Sequence, residues 1–253
     1  RIVINLNMPV EPKLFKLSSP ERLVIDLFKV YDQKTDRDVM PGIRYTAWLR
    51  SRPAGVVKAH ILRVDPRAGF VLKPVLAGGA VQGLETVAGM SAGARAVAAV
   101  NASYFAANGD IIGLLKIDGE IISTPNVPRR TAVGIFPDGR LIFGPAAWQG
   151  YVELPGGRVG LTGVNRARGD NELILYTGFY GPSTATNAAG AEYVIGPDGR
   201  VAAVGRGNTP IEAGCAVLSA HGVFAQELAG LKVGDRVTVR QTLGPEWDGT
   251  LHA

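Results

Sequence analysis

The sequence predicts an α+β fold built mainly from antiparallel strands and hairpins with a few short helices. Three observations carry that prediction. Glycine is abundant, 33 residues of 253 alongside 16 prolines, which favours many short strands joined by tight turns. Three Asp-Gly pairs sit between apolar runs, at Asp118-Gly119, Asp138-Gly139 and Asp198-Gly199. Such a pair marks a hairpin, because the turn needs a positive φ that glycine adopts without strain. Elsewhere, apolar residues alternate with polar ones at the strand period of two.

Taken in order, residues 1–7 and 22–28 alternate as two half-buried strands, separated by a connection holding Pro9, Pro12 and Pro20. Residues 31–42 are charge-rich and end at Pro41-Gly42, the composition of a linker. Residues 60–65 and 70–76 read as strands of a hairpin, with Pro74 placing the second at an edge. A short helix is expected from Leu84 to Met90. The wholly apolar run Ala96-Val-Ala-Ala-Val100 predicts a buried strand covered on both faces. After the three Asp-Gly hairpins come a short amphipathic helix from Phe224 to Leu231 and an alternating strand over 235–240. The expected organisation is a strand segment over 1–30, a linker over 31–42 and one larger domain over 43–253.

Composition narrows the function classes. With 46% apolar and 19% charged residues the chain is globular. No apolar run reaches the roughly 18 residues that span a bilayer, so no transmembrane segment is expected. The chain opens on Arg1-Ile2-Val3 without a leader, as a mature product or excised segment would. The lone Cys215 has no disulfide partner and is expected as a small buried apolar side chain. Three histidines give no basis for a multi-histidine zinc site, and no metal or other cofactor is expected. Residues 1–67 carry 13 Lys and Arg against 7 Asp and Glu, so the basic excess belongs to the N-terminal quarter. An anionic polymer or membrane surface would be attracted there, although a mildly basic solvated face accounts for the count slightly better. No basic stripe interleaved with aromatics points to nucleic acid.

The chain holds no P-loop, no dinucleotide fingerprint, no HExxH and no GxSxG elbow. Ser219 and His221 stand two apart in a strand and so lack the geometry of a nucleophile and its base. Three polar clusters are more informative. The first holds Asn101, Ser103, Tyr104, Asn108, Gly109, Asp110 and Gly113. The second holds Asn165, Arg166, Arg168, Asn171 and Glu172, and the third Thr184-Ala-Thr186-Asn187 followed by Glu192. Amides and carboxylates suit sugar hydroxyls, and guanidinium groups suit phosphate.

Val100-Asn-Ala-Ser-Tyr-Phe105, a Gly-Asp step, Gly113 and Lys116-Ile-Asp-Gly119 together resemble the Asn-Gly-Gly-Phe-Phe…Gly…Asp-Gly segment of the phosphodiester glycosidase family. Gly83-Leu-Glu85-Thr-Val, Arg130-Thr-Ala-Val-Gly134 and Leu218-Ser-Ala-His-Gly222 are similar to segments of its bacterial, exopolysaccharide-related branch, so the likeness covers residues 43–253. Members continue into an Asp-Gly-Gly-Gly-Ser-like stretch that does not follow Leu251-His-Ala253, so the domain is expected to be incomplete at its C-terminal side. Arg22-Leu-Val-Ile-Asp26-Leu27 resembles part of an AMIN module of bacterial envelope proteins.

The resemblance implies an extracytoplasmic hydrolase of glycosyl phosphodiesters or related glycosidic bonds. Such chemistry uses one carboxylic acid to protonate the leaving oxygen and a second carboxylate to activate water or attack the anomeric carbon. Glu85, Glu172 and Asp110 are the candidate carboxylates. Asn101 and Tyr104 would orient hydroxyls, Arg130 or Arg168 would hold phosphate, and Gly113 and Asn165 complete the binding set. The alternative is a non-catalytic envelope module that binds peptidoglycan or an anionic wall polymer through the basic N-terminal portion.

Overall fold

The structure is a computed structural model, and it describes residues 3–124 and 130–253. Strands dominate, nearly all of their pairings are antiparallel, and the two α-helices among the described residues are short. The chain divides into two compact units, residues 1–71 and 72–253.

In the first unit β1 (Val10–Leu17) and β2 (Arg22–Lys29) form an antiparallel hairpin. The first strand therefore begins nine residues later than its alternation predicts and takes in Pro12. The second antiparallel sheet runs in the order β3 (Tyr31–Met40), β4 (Ile43–Arg52), β5 (Gly55–Val64). The segment expected as a linker is thus a ten-residue strand. Its charges are cross-strand pairs: Asp38 accepts from Arg44, Asp36 from Thr46 and Asp32 from Trp48, while Lys34 lies 4.5 Å over the Trp48 ring. Facing groups of this kind stabilise a ladder whose composition alone reads as loop. Gly42 turns β3 into β4 at φ 84°, and a Cβ there would collide with Ala68.

The second unit holds the larger core. Its short hairpins are β6 (Leu115–Ile117) with β7 (Glu120–Ser123) and β8 (Thr131–Ile135) with β9 (Leu141–Pro145), on the two Asp-Gly turns expected. A three-stranded sheet follows, in the order β11 (Gly157–Gly160), β10 (Gln149–Leu154), β17 (Thr238–Thr242). The five-stranded sheet runs β12 (Gly163–Val164), β13 (Leu173–Tyr176), β16 (Ala216–Ala220), β14 (Ala191–Ile195), β15 (Val201–Gly205), and only β12–β13 is parallel. All four residues of β13 are buried, because this sheet is covered on both faces. One face joins Leu173, Leu175, Tyr193 and Leu218 to Val152 of the three-stranded sheet and to Leu228 and Leu231. The other carries Ile174, Tyr176 and Val217 against Ile211 and Tyr180.

The helices are α1 (Val87–Gly93), whose first turn is capped by Thr86 Oγ1 accepting from Gly89 N at 3.1 Å, and α2 (Val223–Glu227). Two expected strands are absent. Residues 70–76 form no strand, and β5 pairs with β4 instead. Ala96–Val100 is exposed loop, with Val100 83% exposed, so the run finds no neighbour to pair with or pack under. Cys215 is only partly buried.

The hairpin β6–β7 is tied to residues far along the chain. Lys116 N donates to Ala253 O at 2.7 Å, and buried His252 accepts from Asp118 N at 3.1 Å through Nδ1. Burial holds the His252 imidazole below its ordinary pKa, against the opposing pull of Asp118. The unfolded chain therefore binds this proton more readily than the fold, so stability is full above about pH 6.5 and falls as the pH drops below it. We expect His252→Gln, which keeps an acceptor without a titration, to flatten the pH dependence of the urea midpoint between about pH 7 and about pH 5. An unchanged slope there would remove His252 from that role.

Candidate functional site

The site grows out of the alternation of three adjacent strands. In β14 Glu192 faces Ser219 of β16, which in turn faces Ile174 of β13. All three side chains point to one face, and two residues along β13 the same face carries Tyr176. A carboxylate on the inner face of a fully covered sheet is costly unless every lone pair is used. Here they are used. Glu192 Oε1 accepts from Ser219 Oγ and Thr186 Oγ1, both at 2.6 Å, and Oε2 accepts from Thr209 N at 3.0 Å and Thr184 Oγ1 at 3.1 Å.

Two loops supply the rest. After β12 the chain turns through Asn165 at φ 47° and runs to Glu172, and this loop delivers Arg168. Its side chain is only 2% exposed. Nη1 donates to Ser219 Oγ at 2.7 Å and lies 4.0 Å from Glu192 Oε1, while Nη2 donates to Asn187 Oδ1 at 2.9 Å and to Asn187 O at 3.2 Å. Gly190 makes room for it, since a Cβ there would collide with the guanidinium and with Ala220 O. Beside the network opens a cavity of about 260 Å³, lined by Ala167, Arg168, Tyr176, Tyr180 and the Thr184–Asn187 loop.

Burial first, and the hydrogen bonds of Ser219, Thr186 and Thr209 against it, set the Glu192 pKa; the hydrogen bonds win and hold it below the ordinary carboxylate value. The Tyr176 and Tyr180 rings meet edge to face with centroids 4.6 Å apart. Burial pushes both phenols up; Tyr180 adds to the effect at Tyr176, and the charge of Asp110 adds to it at Tyr180. The Tyr176 hydroxyl is buried and donates to no group among the described residues, while the Arg168 backbone N–H beside it works against the rise in its pKa.

The candidate residues separate into three kinds. Arg168 lines the cavity; Asp110 is outside the lining, half-buried with its pKa raised by burial, and near enough to Tyr180 for its charge to raise that phenol's pKa. Asn165 and Glu172 build the loop that carries Arg168. Asn165 Nδ2 donates to Ile122 O and Thr177 Oγ1, both at 2.9 Å, and its Oδ1 accepts from Thr177 N at 2.7 Å. Glu172 is clamped by Arg166 at 2.6 and 2.8 Å and by Gly169 N at 2.5 Å, and its pKa is lowered although burial opposes this. The remaining candidates lie apart from the cavity lining. Glu85 is exposed and accepts from Gly78 N at 3.3 Å, Asn101 is exposed, and Gly113 O accepts from Ser123 Oγ. Arg130 stacks over exposed Tyr104 at 5.4 Å.

The candidate set omits Tyr176, Tyr180, Ser219, Thr209 and Glu192, together with the Thr184, Thr186 and Asn187 side chains. Glu192 and its threonines stand out in the sequence as a polar cluster, whereas Tyr176 ends an apolar run and reads as core. Ser219 belongs with Glu192 and not with His221, which accepts from Asn171 N at 3.2 Å.

Replacing the buried anchor should cost far more than replacing an exposed carboxylate. We expect Glu192→Gln to destabilise by about 3–5 kcal/mol in chemical denaturation, since Arg168 is left uncompensated. Glu85→Gln should stay within about 0.5 kcal/mol of the parent.

No family model and no curated protein matches the sequence. Solved structures do share the fold. A hypothetical protein from Synechocystis superposes with a TM-score of 0.74 at 23% identity, over 94% of this chain and 46% of its own. A protein of Burkholderia pseudomallei described as a "putative exported protein" gives 0.61 at 20% identity, over 79% of this chain and 46% of its own. The chain spans just under half the length of both, and at these identities the likeness is one of fold.

Proposed function

We propose that the second unit belongs to an extracytoplasmic enzyme of the phosphodiester glycosidase family, hydrolysing a glycosyl phosphodiester or related glycosidic bond in envelope or exopolysaccharide metabolism. The observation that carries this reading is the buried Arg168–Ser219–Glu192–Thr186 network standing beside a small polar cavity. A charge network held in place before any ligand arrives is what recognition of a hydroxylated substrate uses. The exported description of the Burkholderia relative supports the location.

Among the carboxylates Asp110 fits the acid role best. Its raised pKa keeps the proton available at higher pH than an ordinary aspartate, as protonation of a leaving oxygen needs. Glu172, ionised and clamped by Arg166, suits positioning of the loop. Arg130 makes no ion pair among the described residues and is the cation left for phosphate.

A second reading draws on the first unit. Arg37 lies 4.9 Å over Tyr45 and Lys34 4.5 Å over Trp48, on a sheet within the basic quarter of the chain. The two pairs lie on opposite faces of the sheet, and a cation stacked on an aromatic ring supports binding of peptidoglycan or an anionic wall polymer.

Hydrolysis of a panel of sugar-1-phosphodiesters tests the enzymatic reading. Asp110→Asn should lower kcat by about 10²–10⁴-fold with little change in KM. Asn101→Ala should lower kcat/KM, and unchanged turnover would take Asn101 out of the site. If no panel member is turned over while wall polymer is retained at low salt and released at high salt, the second reading stands instead.

A further inference from the structure

We propose that the cavity between the Arg168 loop and the Thr184–Asn187 loop is a subsite for one uncharged sugar ring, with the Tyr176 hydroxyl as its buried donor. This deepens the enzymatic reading, and rests on it only for what the sugar is attached to.

Four features lead there. The first is the unpartnered hydroxyl. Tyr176 is fully buried and lines the cavity, yet its phenol donates to no group among the described residues. Buried donors are nearly always satisfied, so one left open beside a cavity is completed by a water or by the ligand oxygen that displaces it. Because burial raises its pKa, the phenol stays a neutral donor across the physiological range.

The second is charge. Among the described residues Arg168 is the single charged one in the lining, and the Glu192 carboxylate lies 4.0 Å from it with Ser219 bridging the two. The pair sums to zero, so a phosphate placed in the cavity would meet no uncompensated cation and would approach a buried carboxylate. An uncharged ligand meets neither penalty.

The third is the pattern of donors and acceptors. The hydroxyl protons of Thr184 and Thr186 are committed to Glu192, and each oxygen also accepts a backbone N–H, from Thr209 and Asn208 respectively. The two oxygens also lie 3.2 Å from each other, and the pair retains a lone pair as an acceptor for a ligand hydroxyl. One wall thus donates and the other accepts, which suits a ring whose hydroxyls do both. The edge-to-face tyrosines supply apolar surface for its C–H face.

The fourth is size. The cavity of about 260 Å³ falls just below the usual range of small-molecule pockets, roughly 300–1,000 Å³, a scale that suits a single ring.

The test is NMR titration of the full chain with methyl glycosides of neutral hexoses and N-acetylhexosamines, and separately with inorganic phosphate. The parent should bind at least one glycoside and not phosphate. Tyr176→Phe keeps the ring and removes only the hydroxyl, so it should lose about tenfold in affinity while melting no lower than the parent. Ala167→Trp, on the exposed rim of the cavity, should abolish binding without touching Tyr176. Binding of phosphate in preference, equal affinity in Tyr176→Phe, or no glycoside bound would each overturn the subsite. Phosphodiester turnover that both variants leave intact would overturn the subsite and spare the hydrolytic reading. Glycoside binding without turnover of any phosphodiester would do the reverse.

Discussion

The carboxylate of Glu192 is the constraint around which the second unit is arranged. It sits where a sheet covered on both faces ordinarily carries an apolar side chain, and it is tolerated because four donors and one guanidinium converge on it. Those donors come from separate stretches of chain: Ser219 from the neighbouring strand, Thr184 and Thr186 from the loop before β14, Thr209 from beyond β15 and Arg168 from the loop after β12. A segment that lost its place would leave part of a buried charge bare, so the fold and the cavity are held by the same bonds. The positive-φ residues Asn165 and Ala185 lie on the two loops concerned. Such residues let a loop turn sharply enough to aim one side chain inward.

How far this was legible in the sequence depended on whether the deciding interaction is local. The Asp-Gly hairpins were legible because the turn conformation is decided by two adjacent residues, and all three are present. The strand over 31–40 was not, because its charges look like solvent-facing loop until their partners on β4 are known. Ala96–Val100 misled in the opposite direction. An apolar run states a tendency to be buried, and only the rest of the fold decides whether a neighbour exists to bury it. The first strand was displaced for a simpler reason: residues 3–7 alternate as well as 10–17 do, but the hairpin register begins at the Val10–Lys29 pair.

The site followed the same rule. Clusters of Asn, Thr, Arg and Glu announced that the loops around residues 165–172 and 184–192 had polar work to do. Which carboxylate lay at the centre was not visible, because Glu172 and Glu192 differ in strand register and not in local composition. Register placed one against a loop arginine at the edge and the other under the sheet. Tyr176 was concealed by its own strand, since Leu-Ile-Leu-Tyr reads as core and three of those four residues are nothing else.

The ties between the first hairpin of the second unit and residues 248–253 bear on how the chain acquires its structure. Lys116 Nζ donates to Asp248 O and Asp118 N to His252, contacts spanning up to 134 residues of sequence. During synthesis β6 and β7 leave the ribosome long before their partners exist. The buried lysine and the turn stay without those partners through the making of the whole five-stranded sheet. Closure of this corner is therefore a late event in assembly, and contacts of such separation slow folding. A nascent chain halted after β16 would carry the central sheet and the anchored carboxylate, with the hairpin still open to chaperones and proteases.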